Sequence, residues 1–459
     1  MGIYLNPENV DFQKSLNSEI YIDKTELIAY TNKKLNTEQG YICVSRPRRF
    51  GKSMAANMLT AYYSRGCDSR RLFQGLKIAT HPDFEKHLNQ YNVIHLNMQN
   101  FLSKTQTIEQ MIALVTKAVG RDLLRAYPDV DYLDKTILTF MLDDIYQDCQ
   151  VPFIFIIDEW DCIFRSRKNQ LEEQTKYLDF LRDLLKDKSY IALAYMTGIL
   201  PIKKYGEHSA INVFYEYSMT DASPIEEFTG FTEQEVRQLC EQYNMPFSET
   251  KKWYDGYCVD GVSIYNPKSV VEAMLRGKFS NYWTQTETYE ALKIYIQSNE
   301  FGVQDVILKL LAGEKEKIDT TTFSNDMVTF ATKDDVLTLL VHLGYLTYDA
   351  ETKEIWIPND EVMEQFISTV KVMGWGSVVT ALETSEKLLQ ATLSGDEQTV
   401  AELIEQAHQA NASILKYNDE NALSCVISLA YYSAQKNYTL HREMPARNAS
   451  WKRFCRHCI

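Results

Sequence analysis

The chain has 459 residues, 45% of them apolar and 24% charged, with a net charge of −14. That is a globular composition with room for roughly two to four domains, it has no apolar run long enough to span a membrane, and its acidic balance excludes a grip on nucleic acid over the whole surface, leaving only a local basic patch. Nine scattered cysteines and an N-terminus, MGIYLNPENVDF, with no basic segment followed by an apolar stretch predict a reduced, cytoplasmic protein without a secretory leader.

After a polar opening, Tyr21-Ile22-Asp23-Lys24-Thr25 leads into a short helix, Glu26 to Thr31, with Asp23 or Thr25 as its N-cap. Tyr41-Ile42-Cys43-Val44 is a short apolar strand. It runs into Ser45-Arg46-Pro47-Arg48-Arg49-Phe50-Gly51-Lys52-Ser53, and a helix follows from Met54 to Tyr63. This is the strand–loop–helix context of a phosphate-binding loop. Backbone N–H groups at the helix start face an anion, and the helix dipole favours it. Lys52 would reach the β- and γ-phosphates of ATP, and Ser53 would offer its hydroxyl to Mg²⁺. Arg46 stands where the general pattern has Gly. A basic surface turn capping a helix fits the same letters.

Asn92 to Asn97 reads as a second strand. Leu102 to Tyr127 and Leu133 to Tyr146 read as helical. Val151 to Ile157 is a continuous apolar run, of the kind buried on both faces of a parallel sheet, and it ends in Asp158-Glu159. That puts two carboxylates at the sheet's C-terminal edge, where α/β folds bind ligands. Asp158 suits the residue that holds Mg²⁺ through water, and Glu159 suits the base that positions the attacking water. An exposed turn after a core strand is the plainer alternative. Glu172 to Asp187 is an amphipathic helix, and Tyr190 to Met196 is a further buried strand ending in Thr197-Gly198. A polar residue at that strand end can contact the γ-phosphate or the attacking water, so Thr197 joins Glu159 as a catalytic candidate; a strand-ending turn residue reads the same. Strands alternating with helices predict an α/β fold, a parallel sheet flanked by helices.

Beyond Asp221 the character changes. Phe228-Thr229-Gly230-Phe231-Thr232 precedes a helix, Glu233 to Tyr243, with Thr232 and Glu235 as a capping box. Trp253-Tyr254-Asp255-Gly256-Tyr257, Tyr265-Asn266-Pro267 and Tyr282-Trp283 put aromatics around Gly and Pro, as a lid or domain joint does. Tyr289 to Val370 reads as a small helical domain with a β-hairpin, its arms Leu339 to Tyr348 and Glu354 to Ile357 flanking Asp349-Ala350-Glu351-Thr352. Helices plus a hairpin are compatible with a winged-helix-like module. The acidic Asp334-Asp335 and Asp360-Glu361 favour a structural or coupling role. Ser385 to Leu415 reads as helical.

SRPRRFGKS, IIDEWD, YIDKT, TGILPI and the GFT, WYDGY and YNP blocks together resemble the predicted AAA-ATPase family found mainly in bacteria. In that family the first loop Gly is commonly replaced by the Arg-Pro-Arg-Arg-Phe form. The resemblance therefore implies a P-loop ATPase whose nucleotide is held by Arg46, Pro47, Arg48, Arg49, Phe50, Gly51, Lys52, Ser53 and Met54, with Mg²⁺ on Ser53 and Asp158. It also implies YIDKT packing near the nucleotide and, since AAA-type relatives often form rings, a homo-oligomer. The expected divisions are an ATPase domain at 1–225, an aromatic lid or joint at 226–288, the helical domain with its hairpin at 289–370, and a connection to an incomplete α/β domain at 371–459. A hydrolysis-completing arginine cannot be assigned, although Arg48 and Arg49 lie beside the loop.

Family members often carry a C-terminal nuclease-like domain of the PD-(D/E)XK superfamily. Ala422 to Tyr432 and Tyr438 to Glu443 resemble its opening helix and strand, with Glu420 as the helix carboxylate. The Asp and Glu-x-Lys that would bind Mg²⁺ do not follow. A basic, cysteine-rich tail, Arg447 to Ile459, follows instead. Shifted by one base, codons compatible with Ser450 to Ile459 spell Ala-Gly-Lys-Gly-Phe-Ala-Asp-Ile-Val, similar to the family's continuation, although only the first Gly is forced by the code. The expectation is a frameshift that leaves the nuclease incomplete and inactive, with any nucleic-acid contact confined to this region. Cys455, His457 and Cys458 as half a zinc site is the alternative, and it lacks a second ligand pair.

Overall fold

The computed structural model describes residues 2–202, 212–283, 302–323, 330–373, 376–411, 427–436, 438, 444–445 and 454–455. The chain forms two compact units. One comprises Met1–Phe279 and Asp319–Glu351, the other Ser280–Ile318 and Thr352–Ile459.

In the first unit, strands β1 (Tyr41–Ser45), β2 (Asn92–Asn97), β3 (Phe153–Asp158), β4 (Ile191–Gly198) and β5 (Tyr215–Tyr217) form one sheet in the order β2-β3-β4-β1-β5. All its pairings are parallel. Every residue of β3 is buried, and β4 is buried from its second residue on, which is why both read as unbroken apolar runs. Ile42, Val44, Ile154, Ile156 and Tyr195 share a core with Leu59 and Tyr62 of helix Lys52–Tyr63. Helices Ile108–Ala126, Leu138–Cys149 and Leu171–Leu185 complete the α/β arrangement. The helix expected from Leu102 to Tyr127 is present as Ile108–Ala126, and Leu102 instead ends a separate short helix, Met98–Leu102. Thr107 starts the longer helix by accepting the Gln110 N–H, the bond of an N-cap.

The register aligns the C-terminal ends of the strands. Asn97 lies opposite Asp158, Val44 opposite Thr197 and Ser45 opposite Gly198. Because β4 sits between β1 and β3, Thr197 stands between the loop strand and the acidic strand.

The same unit holds a small antiparallel sheet of β6 (Phe231–Thr232), β7 (Tyr257–Val259) and β8 (Val262–Tyr265), in the order β6-β8-β7. Asp260 and Gly261 join β7 to β8 with φ of 47° and 78°, the left-handed pair of a two-residue type I′ hairpin. The Thr232–Glu235 capping box is present. Tyr265-Asn266-Pro267 is a strand end, an N-cap and a first helical residue. Asn266 Oδ1 accepts the N–H of Lys268 and Ser269 at the start of helix Pro267–Arg276, and Pro at that first position has no N–H to leave unpaired.

The first half of the expected hairpin arm Leu339 to Tyr348 is helix. Lys333–Leu343 is α-helical, capped by Thr332 with Asp335 and closed by Gly344 at φ 86°. Only Thr347–Asp349 is extended. A capping box and a left-handed glycine overrode the apolar run Leu339-Leu340-Val341 that suggested a strand.

In the second unit, Glu354–Trp356 pairs antiparallel with Glu316–Lys317. Tyr282 and Trp283 are buried, and their backbone N–H groups donate to Glu361 Oε1 at 2.7 and 2.9 Å. The helix expected from Ser385 is interrupted. Gly376–Ser394 and Glu397–Asn411 are separate, with Gly395 at φ 74° between them and Asp396 accepting the Thr399 N–H. Leu388, Leu389, Leu403 and Ala407 pack between them. Glu420, residues 422–426 of the expected nuclease-like helix, the segment from Thr439 to Glu443, and His457 and Cys458 lie outside the described residues. No helix among the described residues is long and apolar enough to cross a membrane.

Candidate nucleotide site

Asp158 ends β3 and is 3% exposed. Its Oδ2 accepts the Ser53 hydroxyl at 2.7 Å and the Asn97 side-chain amide at 3.4 Å. Its Oδ1 accepts the Thr197 hydroxyl and, at 3.0 Å, the N–H of Glu159. One carboxylate thus joins the ends of β2, β3 and β4 to the first turn of the loop helix.

The loop that feeds this helix has two left-handed residues, Arg49 at φ 71° and Gly51 at φ 86°. A Cβ at Gly51 would meet nothing within 4 Å, so glycine is needed there for its backbone angle rather than for room. Lys52 is buried. Its ammonium donates to the carbonyls of Arg46 at 2.9 Å and Pro47 at 2.8 Å. Burial lowers its pKa, and the carboxylates of Glu159, Asp158 and Asp161 oppose that shift.

Arg46 is fully buried. Its guanidinium Nη1 donates to the carbonyls of Ser45, Tyr217 and Ser218 at 2.9, 3.0 and 2.8 Å, and burial pushes its pKa down to about 10. The side chain that occupies the place of a glycine therefore pins the loop's entry to β5 and its exit, while its carbonyl receives Lys52. Phe50 is fully buried. Its ring meets Tyr257 edge-on with centroids 5.1 Å apart, and its carbonyl accepts the Gly230 N–H at 3.0 Å. Pro47 is buried, Arg48 and Arg49 are half-buried, and Ser53 and Met54 are exposed.

Glu159 follows with φ 55°, an uncommon conformation for a residue with a long side chain. Its Oε2 accepts from Arg165 Nη2, while Arg165 Nε donates to Asp161 Oδ2 at 3.1 Å. Burial alone would lower the Arg165 pKa; Asp161 and Glu159 outweigh it and raise it. Asp161 is fully buried, and its Oδ2 also accepts the N–H of Ile199 at 3.1 Å and Leu200 at 2.9 Å. Trp160 N–H donates to the Thr197 carbonyl at 3.0 Å. The turn after β3 is thus stitched to the exit of β4.

The structure brings Lys52, Ser53, Asp158, Glu159 and Thr197 together at one sheet edge. Asn97 and Arg165 complete the network and were not singled out in the sequence. An Asn closing a strand is an ordinary turn signal, and Arg165 belongs to no motif. In YIDKT, Asp23 accepts the N–H and hydroxyl of Thr25 at 2.9 and 2.6 Å and the Lys77 N–H at 2.7 Å. Lys24 donates to Glu235 and, at 2.8 Å, to the Glu227 carbonyl. Thr25 holds the N-cap position without a side-chain cap bond. These bonds fasten the segment to its neighbours at Lys77 and Glu235.

Residues 10–206 match the family model described as predicted AAA-ATPase. The chain carries a predicted AAA-ATPase-like domain. It is similar to the Azotobacter chroococcum mcd 1 protein named "Uncharacterized protein in vnfD 5′region", at 24% identity over 276 residues, covering 58% of this chain and 51% of that protein. The chain therefore spans about half the length of this relative. Among solved structures it is similar to the Aeropyrum pernix ORC2 protein in ADPNP-ADP complexes, with 14% identity, 77% of this chain and 97% of that chain covered, and a TM-score of 0.33. It is also similar to the Pyrobaculum aerophilum CDC6P structure, with 10% identity, 81% and 98% covered, and a TM-score of 0.23.

Proposed function

We propose that the first unit binds ATP with Mg²⁺ and hydrolyses it. The observation that carries this reading is the Asp158 carboxylate, joined by the hydroxyls of Ser53 and Thr197 beside a loop whose lysine lies on its own carbonyls. In this reading Lys52 and the N–H groups from Arg48 to Met54 receive the phosphates. The donor set suits a hard cation, because a serine hydroxyl and one carboxylate are oxygen ligands that leave positions for water and phosphate. Ser53 and Asp158 would hold Mg²⁺, which when bound neutralises charge on the β- and γ-phosphates. Asn97 and Thr197 orient Asp158. Glu159 accepts a proton from, and positions, the attacking water. The remaining divisions of the chain, at 226–288, 289–370 and 371–459, receive the nucleotide-dependent change, with no nuclease step assigned to them.

Phosphate release and ATP binding, measured on wild type, Lys52→Ala and Glu159→Gln, test this. Lys52→Ala is expected to lose binding. Glu159→Gln is expected to bind ATP and lose about 10²-fold or more in turnover, the usual weight of a general base. Equal hydrolysis by wild type and Glu159→Gln sinks the role given to this residue. A second reading, a nucleotide-dependent switch with little turnover, is favoured by one observation: Glu159 is engaged by Arg165. Under it, wild type binds ATP as tightly as Glu159→Gln and releases phosphate no faster.

A further inference from the structure

Resting on the ATPase reading, we propose that Arg165 is a latch on Glu159, holding it away from the attacking water in the resting enzyme and setting how often the site can fire. Arg165 sits on the short helix Cys162–Ser166 directly after the acidic turn, and its side chain is 12% exposed. It holds two carboxylates of unequal mobility. Asp161 is fully buried and fixed from three directions, by Arg165 Nε and by the N–H groups of Ile199 and Leu200. The Glu159 side chain is 24% exposed, and Arg165 takes its Oε2. Of the two bonds, the one to Glu159 is therefore the one that opens.

A carboxylate oxygen taken by a guanidinium is not available to a water. Charge-assisted hydrogen bonds of this kind favour the closed state by about tenfold or more. A site competent only when open turns over in proportion to its open fraction. The anchoring end also has a sensor. Asp161 Oδ2 is shared between Arg165 and the first two residues beyond β4, so a shift of Ile199 and Leu200 redirects the oxygen that steadies Arg165. Turnover then responds to the position of the chain leaving β4, which the loop also holds through the Ser45 hydroxyl on the Leu200 carbonyl and the Arg46 N–H on the Gly198 carbonyl.

The test uses the full chain and saturating Mg·ATP, with steady-state phosphate release, ATP binding and melting temperature measured for wild type, Arg165→Gln, Arg165→Lys, Glu159→Gln and the double variant Arg165→Gln/Glu159→Gln. Arg165→Gln is expected to raise kcat about tenfold with KM unchanged. Arg165→Lys, whose single ammonium cannot span both carboxylates in the same way, is expected to raise it less. The gain is expected to vanish in the double variant, which a merely structural role for Arg165 does not require. If wild type hydrolyses ATP and Arg165→Gln, folded and binding ATP, is unchanged or slower, the latch is overturned and the ATPase reading stands. If Arg165→Gln does not fold, Arg165→Lys decides, and a kcat at or below wild type overturns the proposal. If wild type and every variant bind ATP and none hydrolyses it, the ATPase reading fails and takes the latch with it.

Discussion

At Gly198 the main chain passes so close to the Trp160 indole that an added Cβ would lie 2.6 Å from its Nε1 and 2.9 Å from Asp161 Oδ1. Trp160 is 1% exposed and Asp161 is fully buried, so neither can give way cheaply. Gly198→Ala is expected to cost about 1–3 kcal/mol, as overpacking does, measured by denaturant unfolding, and to lower phosphate release because Thr197 precedes it. Gly51→Ala poses a different problem. Space is free there, and the cost is that of a left-handed backbone angle, about 1–2 kcal/mol. At this scale much of the network was legible. Lys52 and Ser53 follow a glycine at a helix start, and Asp158 and Thr197 end apolar strands. Asn97 and Arg165 were not legible, because their roles come from register and from a fold-back, neither of which leaves a local signature.

Among the elements, the β7–β8 hairpin bears directly on the loop. Tyr257 places its ring against Phe50, and its hydroxyl donates to the Gly344 carbonyl at 3.0 Å. The Cys258 N–H donates to the Thr347 hydroxyl at 2.7 Å. The two halves of Tyr257 can be separated. Tyr257→Phe keeps the ring and is expected to cost about 1 kcal/mol, one ordinary hydrogen bond. Phe50→Ala removes a fully buried ring and is expected to cost about 3–5 kcal/mol. Denaturant midpoints for both variants check this, and a Tyr257→Phe loss equal to that of Phe50→Ala contradicts it. The WYDGY and YNP letters showed aromatics around turns but not a hairpin, although Asp260-Gly261 is a strong hairpin pair. The strand order was equally hidden. That β4 lies between β1 and β3 depends on crossovers spanning long separations, whereas the existence of each strand depends on a few consecutive apolar residues. The apolar run before Gly344 misled for the opposite reason, since its neighbours at Thr332 and Asp335 decided for helix.

For the molecule as a whole, ligand linkage offers a direct check. ATP with Mg²⁺ at 100 times its dissociation constant is expected to add about 2.7 kcal/mol to unfolding of the first unit. Amide hydrogen exchange in β1, β3 and β4 reads this, and Lys52→Ala is expected to show no gain. The first unit comprises Met1–Phe279 and Asp319–Glu351, with Ser280–Ile318 belonging to the other unit, so the chain leaves the first unit and returns to it. Such a return is invisible to local patterns, because it is held by bonds such as Tyr257 to Gly344. It also imposes an order on birth. A ribosome making about 5–20 residues per second exposes the whole parallel sheet several seconds before the partners of Tyr257 and Cys258 emerge. Through that interval a nascent chain has the loop before Lys52 complete in letters, while the ring that packs on Phe50 still lacks the Gly344 carbonyl that accepts its hydroxyl, so the packing behind the loop is finished only when the later segment docks.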